Sequence, residues 1–374
     1  MRPLERLSSI ARQAALPLLA FACGRALLWA AARRDRFDAW APESWVRFDS
    51  EHYLEIARSG YAFARCGEGT SYGALSWCGN TGWLPGYPLL IRALSLVGCP
   101  DALAAVLLAA AAHLATLVLA AHLTRTLSWG RRLVVLLLMA TAPGQVYQHA
   151  VFPVSLFCAF ALAAMDAAQG ERWRTAGLLG ALAAFTYSTG FLLAAVLGVS
   201  ILVWQGTNAR AIRRAAGLSA LTVGGLLTAL GLQWWAVGDP LAFFKVQAKY
   251  GHGLHSPLTP LLRAGHALGE DRADWIAWQT VAVAALVLIL VAAVATRRMR
   301  LAGLDLALAL FASTYWAFPL VVGGRLSLYR ADALLLPGAL LLRRLPLPAQ
   351  VALLAGFAYL DYKMGVRFFR GVLV

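Results

Sequence analysis

The apolar residues of this chain are gathered into long runs, and these runs constrain its fold more than any other feature of the sequence. Most of them approach the roughly 20 residues that a helix needs to cross the ~30 Å hydrocarbon layer of a membrane. In chain order, the candidate spans lie near 16–32, 101–123, 132–150, 152–168, 174–187, 190–205, 215–237, 275–295, 302–322, 331–343 and 348–362. The sequence therefore predicts ten or eleven transmembrane helices.

The composition excludes a soluble globular domain. Hydrophobic residues make up 60% of the 374 residues and charged residues only 14%, which is more apolar side chain than one solvated domain can hide. The runs lack the alternation of barrel strands, and only helices otherwise satisfy every backbone polar group inside lipid. We expect an all-α, polytopic transmembrane helical bundle that forms a single domain over residues 1–374.

The net charge of +15 follows the loops of this predicted topology. Arginine residues precede the first span and recur in alternate short loops, at Arg2, Arg6, Arg12, Arg125, Arg131, Arg132, Arg172, Arg174, Arg210, Arg213, Arg214, Arg297, Arg298, Arg300, Arg343 and Arg344. This positive-inside pattern places the N-terminus in the cytoplasm and argues against a nucleic-acid partner. The opposite face then holds the loops 33–100, 143–151, 188–189, 238–274 and 323–330.

Two features bear on the ends of the predicted bundle. The first run carries Arg25 and has no small-residue cleavage site after it, so we interpret it as a retained span rather than a signal peptide. Basic residues outside the first span and after the last one fit the topology poorly, namely Arg33, Arg34, Arg36, Lys363, Arg367 and Arg370. The topology of the C-terminus therefore stays open.

The first outer loop, 33–100, is too long for a simple connection, which is typical of a functional segment. Residues 48–61 predict a short amphipathic helix closed by Gly60, and residues 87–97 predict a second helix lying in the membrane interface. Between them, the segment 66–82 is rich in glycine and bracketed by cysteines, and it is a candidate lid. Of the three cysteines in this loop, Cys66 and Cys78 give the shortest of three possible disulfides, with Cys99 as the other partner and free thiols as the alternative.

Asp49 is the first candidate catalytic residue, because it begins the first interfacial helix outside the membrane, beside His52. It could act as a general base, with His52 orienting it. The alternative is structural, since aspartate before a helix is a favoured N-cap.

Candidate cations and polar partners lie in the other outer loops. A planar guanidinium suits a phosphate at the membrane surface, and a helical segment would place two lysines spaced four apart on one face. The predicted substrate-binding residues are Arg325, Tyr329, Arg330, Lys245, Gln247 and Lys249. Ordinary anchoring at the interface is the alternative for each of them.

Several familiar sites are missing from the sequence. It has no Walker loop, no strand-linked GxGxxG, no HExxH and no CxxC pair, so ATP hydrolysis and a structural zinc site are not expected. His113, His122 and His149 do not have the spacing of metal ligands. No cofactor is predicted, although a divalent metal stays open.

Two strings in the first outer loop resemble a known family. FDSEHYLEIARSGY from Phe48 to Tyr61, followed by WLPGYPLL from Trp83, resembles the GPI mannosyltransferase II (PIG-V) family, whose motifs read W-D-x-x-x-Y/F-x-x-I-A-x-x-G-Y and F-F-P-L-Y-P-L-L. Weaker similarities follow in the same order, at Ser155–Phe157, Gly177–Gly190, Asp239–Pro240 with Phe244 and Gln247, and Ser327–Arg330.

The resemblance implies a GT-C membrane glycosyltransferase, which takes a sugar, usually mannose, from a polyprenyl phosphate on the outer face of a membrane. It implies that Asp49 is the general base, that Arg330 and less firmly Lys245 or Lys249 stabilise the phosphate, and that Trp83 and Tyr87 of the second string belong to the substrate site. Phe48, Val154 and the pair Tyr187–Ser188 depart from the family pattern, so the acceptor and the donor are expected to differ from the usual ones.

The sequence therefore predicts an enzyme of the bacterial inner membrane that transfers a sugar, most simply mannose, to a lipid or glycan acceptor. Its active site would face the extracytoplasmic side, and no protein partner is identified. Two alternatives are a transporter or flippase for a lipid-linked sugar, and an inactive relative that serves as a scaffold.

Overall fold

The computed structural model describes residues 3–67, 72–73, 75–296, 299, 301–323 and 327–372, and it describes side chains from residue 14 onward. Of the predicted site residues, Arg325 lies outside the described residues.

The described chain is built almost entirely from helices, and sixteen of them are α-helices. The first eight are α1 (Pro3–Arg34), α2 (Ser50–Ser59), α3 (Gly86–Ser95), α4 (Asp101–Leu123), α5 (Trp129–Ala140), α6 (Val154–Gln169), α7 (Trp173–Thr186) and α8 (Leu192–Gln205). The others are α9 (Ala209–Val237), α10 (Ala242–Ala248), α11 (Leu258–Glu270), α12 (Trp275–Ala295), α13 (Leu304–Val322), α14 (Leu328–Ala331), α15 (Leu336–Ala339) and α16 (Leu347–Phe369). Short 3₁₀ turns cover Pro42–Trp45, Gln145–Gln148, Ser188–Phe191, Asp332–Leu335 and Leu340–Arg344.

Within the described residues, six stretches have the length and hydropathy of membrane spans. They are Ala14–Arg34, Asp101–Leu123, Ser188–Gln205, Ala209–Val237, Trp275–Ala295 and Leu304–Val322. The prediction of a helical, multi-pass membrane protein is confirmed at this level. The predicted count of ten or eleven spans is not confirmed, because several of the predicted spans are short or interrupted helices.

The interruption after α5 has a clear steric cause. The predicted span 132–150 ends as a helix at Ala140, and the chain turns at Gly144, whose φ is +82°. A Cβ on Gly144 would lie 2.7 Å from the backbone nitrogen of Ala333, so only glycine permits this close approach. The approach brings the turn Gln145–Gln148 against the turn Asp332–Leu335, and Gln148 Nε2 donates a hydrogen bond to the Ala333 carbonyl at 2.7 Å.

Small residues bring the long helices together. A Cβ on Gly225 of α9 would lie 2.0 Å from the carbonyl oxygen of Ala181 in α7, and a Cβ on Gly180 would lie 2.4 Å from Thr222 Oγ1. Backbones that approach this closely are typical of helix pairs inside membranes, where packing replaces the hydrophobic effect as the attraction between helices.

The described residues of the loop 33–100 contain the only strands of the described chain. β1 (Phe63–Arg65) pairs antiparallel with β2 (Trp77–Gly79), with Ala64 opposite Cys78, and a disulfide joins Cys66 to Cys78. The all-α prediction missed this hairpin, because it is short and its strands carry little alternation. Cys99 is free. The predicted helix over 48–61 is observed as α2, which ends at Gly60 with φ +81°, and the one over 87–97 as α3.

Candidate functional site

Asp49 immediately precedes α2, but its side chain does not cap that helix. No hydrogen bond joins the carboxylate to an amide of α2. The preceding turn is held instead by Ser50, whose buried hydroxyl donates to the Arg47 carbonyl at 2.6 Å and accepts from the Arg47 amide at 3.1 Å. The capping interpretation of Asp49 therefore lacks its defining contact.

The residue before Asp49 has an unusual backbone. Phe48 has φ +56°, in the left-handed region that side chains larger than glycine rarely adopt. Its ring packs edge-on against Phe368 of α16, with ring centroids 5.9 Å apart. Such conformations persist where the surrounding structure fixes them, often at functional sites. Here the conformation occurs at the residue directly before Asp49.

The carboxylate of Asp49 forms an ion pair with Arg330. Arg330 Nη1 donates a hydrogen bond to Asp49 Oδ2, across a separation of 281 residues. The side chain of Asp49 is 30% exposed and that of Arg330 22% exposed, so both are partly accessible to solvent. We refer to the surroundings of this ion pair as the cleft. No described residue bonds the second oxygen, Oδ1. The structure therefore brings together the two residues that the sequence ranked first as base and phosphate ligand.

Aromatic rings surround this ion pair. The Arg330 guanidinium lies 5.7 Å from the centre of the Phe152 ring, and the ring of buried Tyr329 lies 6.2 Å from Tyr147. Burial alone would lower the pKa of Arg330, but the charge of Asp49 and the nearby phenols outweigh it and raise that pKa. Arg330 therefore stays a cation in this partly apolar setting.

Three tyrosines near Asp49 and Arg330 were missed by the sequence analysis. Tyr53, Tyr147 and Tyr187 all lie within electrostatic range of both charges. Tyr53 follows Asp49 by four residues and so shares its helical face, which is a signal that could have been used. Tyr147 and Tyr187 arrive from distant segments and carry no local signal. Burial is the main cause that raises the pKa of Tyr53, so its hydroxyl stays a hydrogen-bond donor.

His52 stacks on Trp83, one of the predicted substrate-binding residues. The two ring centroids are 3.6 Å apart and the planes are inclined by 25°. Burial lowers the pKa of His52, while Asp49 and Glu55 oppose that shift. The backbone carbonyl of Trp83 accepts hydrogen bonds from Tyr61 and from Gln233 of α9, both at 3.1 Å. His52 is thus a neutral ring stacked on Trp83 near Asp49, and it does not form a hydrogen bond with the Asp49 carboxylate.

The two lysines of the second outer loop diverge. Lys245 pairs with Asp239 and lies 5.2 Å from the centre of the Trp77 ring, so it fastens α10 to the hairpin. Lys249 follows the end of α10 and lies 4.8 Å from the Tyr72 ring and 5.2 Å from the Tyr250 ring. Burial lowers the pKa of Lys249 and the charge of Asp49 opposes that shift, which places Lys249 within range of the ion pair.

Gln247 and Tyr87 have backbone partners. Gln247 Nε2 donates to the Gly82 carbonyl at 2.9 Å, and its Oε1 lies 3.3 Å from His252 Nε2. Tyr87 is fully buried, and its hydroxyl donates to the Ala105 carbonyl at 2.7 Å. Gln247 therefore ties α10 to the chain before Trp83, and the Tyr87 ring supports Tyr53, whose ring centroid is 5.8 Å away.

The cleft thus contains a half-free carboxylate, a guanidinium, an ammonium group and several phenols. Among the described residues, no group of three histidine, cysteine or acidic side chains could hold a metal ion. Compared with known proteins, the chain matches no protein-family model and no curated protein.

Proposed function

We propose that this chain is a membrane glycosyltransferase of the GT-C class that moves a sugar, most simply mannose, from a polyprenyl phosphate to a hydroxyl of a lipid or glycan acceptor. The observation that supports this proposal best is the contact between Asp49 and Arg330. A base and a phosphate-binding cation act on opposite faces of one anomeric carbon, so they must belong to the same small site, and these two residues meet there from opposite ends of the sequence.

The chemistry needs only these groups and the substrates. The acceptor oxygen attacks the anomeric carbon while its proton passes to Asp49 Oδ1, which no described residue occupies. The bond between the anomeric carbon and the phosphate oxygen breaks, and its electron pair leaves with the lipid phosphate. Arg330 and Lys249 stabilise the charge that develops on that phosphate. A single displacement of this kind inverts the configuration at the anomeric carbon.

The resting ion pair gives Arg330 a second role in this proposal. The phosphate of the donor competes with Asp49 for the guanidinium, because phosphate and carboxylate fit the same planar fork. Donor binding would then free Asp49 Oδ2 as well, so that the whole carboxylate could face the acceptor. Lys245 contributes indirectly, since its pairing with Asp239 leaves it no free charge to offer a substrate.

The finer topology belongs to the same proposal. We place the cleft on the extracytoplasmic side of a bacterial inner membrane, where the oxidising environment allows the Cys66–Cys78 disulfide. Ten or eleven crossings follow if the shorter helices, among them α6 and α7, also cross the bilayer in pairs with longer neighbours. Accessibility labelling of single cysteines introduced in the turns 124–128 and 170–172 would test this arrangement.

A transporter for lipid-linked sugars is the second candidate function, and one observation favours it. Arg25 and His113 lie inside candidate spans, where ionisable residues often mark transport pathways. An inactive scaffold is the third candidate, prompted by Val154 and Tyr187. The position of Tyr187 beside Arg330 gives that residue a place in the cleft and so weakens the scaffold interpretation.

The test is a transfer assay in liposomes with labelled polyprenyl-phosphate mannose and a membrane lipid extract. We expect transfer by the wild type and a loss of about 10²- to 10⁴-fold in Asp49→Asn, since a positioned base contributes that much. The matched control is Asp239→Asn, which removes another outer aspartate that is paired with a cation. Equal activity of the two variants would contradict the role of Asp49. Absence of turnover with several polyprenyl-phosphate sugars, together with movement of the sugar lipid across the bilayer, would favour the transporter.

A further inference from the structure

A second cluster of polar side chains lies inside the helical bundle, on the other side of the turn Gln145–Gln148 from the ion pair. Its members are Arg25 of α1, His113 of α4, and Gln145 and His149 at the two ends of that turn. His113, Gln145 and His149 are almost completely buried. The sequence analysis found no metal-ligand spacing among the histidines, whereas the ring centroids of His113 and His149 lie 5.0 Å apart.

The amide of Gln145 links the two imidazoles. Gln145 Nε2 lies 2.8 Å from His113 Nε2 and 3.5 Å from His149 Nε2. With the amide nitrogen facing the rings, each Nε2 accepts and each neutral ring carries its hydrogen on Nδ1, whereas the reverse orientation of the amide would place the hydrogens on Nε2. Both Nδ1 atoms are buried and have no hydrogen-bond partner. In the first arrangement the cluster contains two unused N–H donors.

Arg25 adds a third unused donor and a positive charge. Its guanidinium lies 3.9 Å from the centre of the buried Trp45 ring, and its Nη1 is buried without a hydrogen-bond partner. Among the described side chains, no carboxylate forms an ion pair with Arg25. His149 lies within electrostatic range of this charge. A cation inside a membrane span is costly unless an opposite charge or a polar ligand compensates it.

The chemistry of these groups selects an anion as the ligand. Three N–H donors and one uncompensated cation are suited to bind a small spherical anion. A metal cation would need lone pairs on the two Nδ1 atoms and would be repelled by Arg25. Water alone would accept hydrogen bonds but would leave the charge of Arg25 uncompensated. We propose that Arg25, His113 and His149 bind a small inorganic anion of the size of chloride.

This site would support the catalytic cleft mechanically. Gln145 faces the cluster, whereas Tyr147, two residues later in the same turn, faces Arg330. Trp45, which packs on Arg25, lies four residues before Asp49, and its carbonyl accepts a hydrogen bond from the Val151 amide at 3.2 Å. A bound anion would therefore fix both segments that carry residues into the cleft.

The test compares the thermal unfolding of purified protein in detergent with sodium chloride and with sodium gluconate at equal ionic strength. We expect chloride to raise the unfolding temperature of the wild type, because a ligand that binds only the folded state stabilises it. Arg25→Gln should lose this difference. The matched control is Arg33→Gln on the same helix, where an exposed arginine lies 4.8 Å from the Trp29 ring, and it should keep the difference.

Chloride-35 NMR on the wild type covers the case in which Arg25→Gln does not fold. Protein-dependent broadening of the chloride resonance that excess bromide removes would support the site. Equal unfolding temperatures in the two salts without broadening would overturn the proposal in favour of buried water. A chloride effect that persists in Arg25→Gln, or stabilisation by zinc ions without any chloride dependence, would overturn it as well.

Discussion

The carboxylates of Asp49 and Asp305 both contact arginines, at opposite ends of the 19-residue helix α13, which is ~28 Å long. Asp305 lies at the start of α13 and is 3% exposed. Its Oδ1 accepts from Arg343, and its Oδ2 accepts from Nε of Arg344 at 2.7 Å and from Nη2 of the same residue. Asp49 is 30% exposed and uses one oxygen for Arg330.

The difference separates a structural carboxylate from an available one. Both oxygens of Asp305 are saturated by two guanidinium groups from the short turn Leu340–Arg344, which fastens that turn to the base of α13. Asp49 keeps one oxygen free, is accessible, and shares its cleft with Tyr53 and Lys249. Aspartate–arginine pairs therefore differ in role at the two ends of the helix. The pair of Asp305 holds the structure together, whereas the pair of Asp49 leaves an oxygen available for a reaction.

The largest expected effect on stability comes from Asp305→Asn. Removing this buried charge leaves Arg343, which is 16% exposed, and Arg344, which is 51% exposed, without their counter-ion. Because Arg344 can turn to solvent, we expect a cost somewhat below the ~3–5 kcal/mol of a fully buried pair. Asp49→Asn removes a partly exposed pair, and we expect it to cost about 1 kcal/mol or less. Unfolding in mixed detergent micelles measures both variants. Equal destabilisation by the two variants would show that Asp305 is no more important for stability than Asp49.

Arg330→Gln should give the next largest effect, and it acts on activity. Loss of one preorganised donor to a developing negative charge typically lowers the rate by about 10²- to 10³-fold. Arg330→Lys should recover only part of the activity, because an ammonium group lacks the planar fork. The measurement is kcat/KM for the lipid-phosphate donor. Full activity in Arg330→Lys would show that charge alone suffices.

A smaller effect should distinguish the two lysines. Lys249→Gln removes an ammonium group near Asp49 and should raise KM for the donor by about tenfold, which corresponds to roughly 1.4 kcal/mol. Lys245→Gln should leave KM nearly unchanged, because Lys245 is paired with Asp239 and packs over Trp77. Steady-state kinetics on the two variants, side by side, tests this division. The reverse order of effects would place the donor phosphate near Asp239 and Trp77 instead.

The sequence predicted those parts of the molecule that depend on local pattern. Apolar run length indicated the helical membrane class, and the string from Phe48 to Tyr61 located both α2 and Asp49. Gly60 was correctly predicted to close that helix, because a left-handed residue is needed there. The pairing of Cys66 with Cys78, preferred on loop length, is the one that the structure contains.

Most of the parts that were missed depend on contacts between distant segments. The break after Ala140 is an exception, because the dipeptide Pro143–Gly144 is a local turn signal that run length overlooked, and the approach of Ala333 explains only why residue 144 is glycine. Spacing of four predicted that Lys245 and Lys249 share a face, but partners from other segments separate the two ammonium groups, Asp239 and Trp77 for Lys245 and Tyr72 for Lys249. Tyr147 and Tyr187 enter the cleft through tertiary packing, which no local pattern records.

The smallest predicted effect concerns His52 and pH. Burial lowers the pKa of His52 in the folded protein below its ordinary value of about 6.5, so the unfolded chain binds the proton more readily. Stability should therefore fall as pH is lowered from about 6.5 towards the folded pKa. Because the ring is 35% exposed, solvent screening keeps this contribution at about 0.5 kcal/mol or less.

The variant His52→Gln should flatten that part of the curve of stability against pH. His266→Gln, which replaces an exposed histidine of α11, serves as the matched control. If stability instead rose as pH fell through this window in the wild type but not in His52→Gln, the Asp49 and Glu55 charges would outweigh burial. His52 would then be a charged partner of the Asp49 carboxylate rather than its neutral aromatic neighbour.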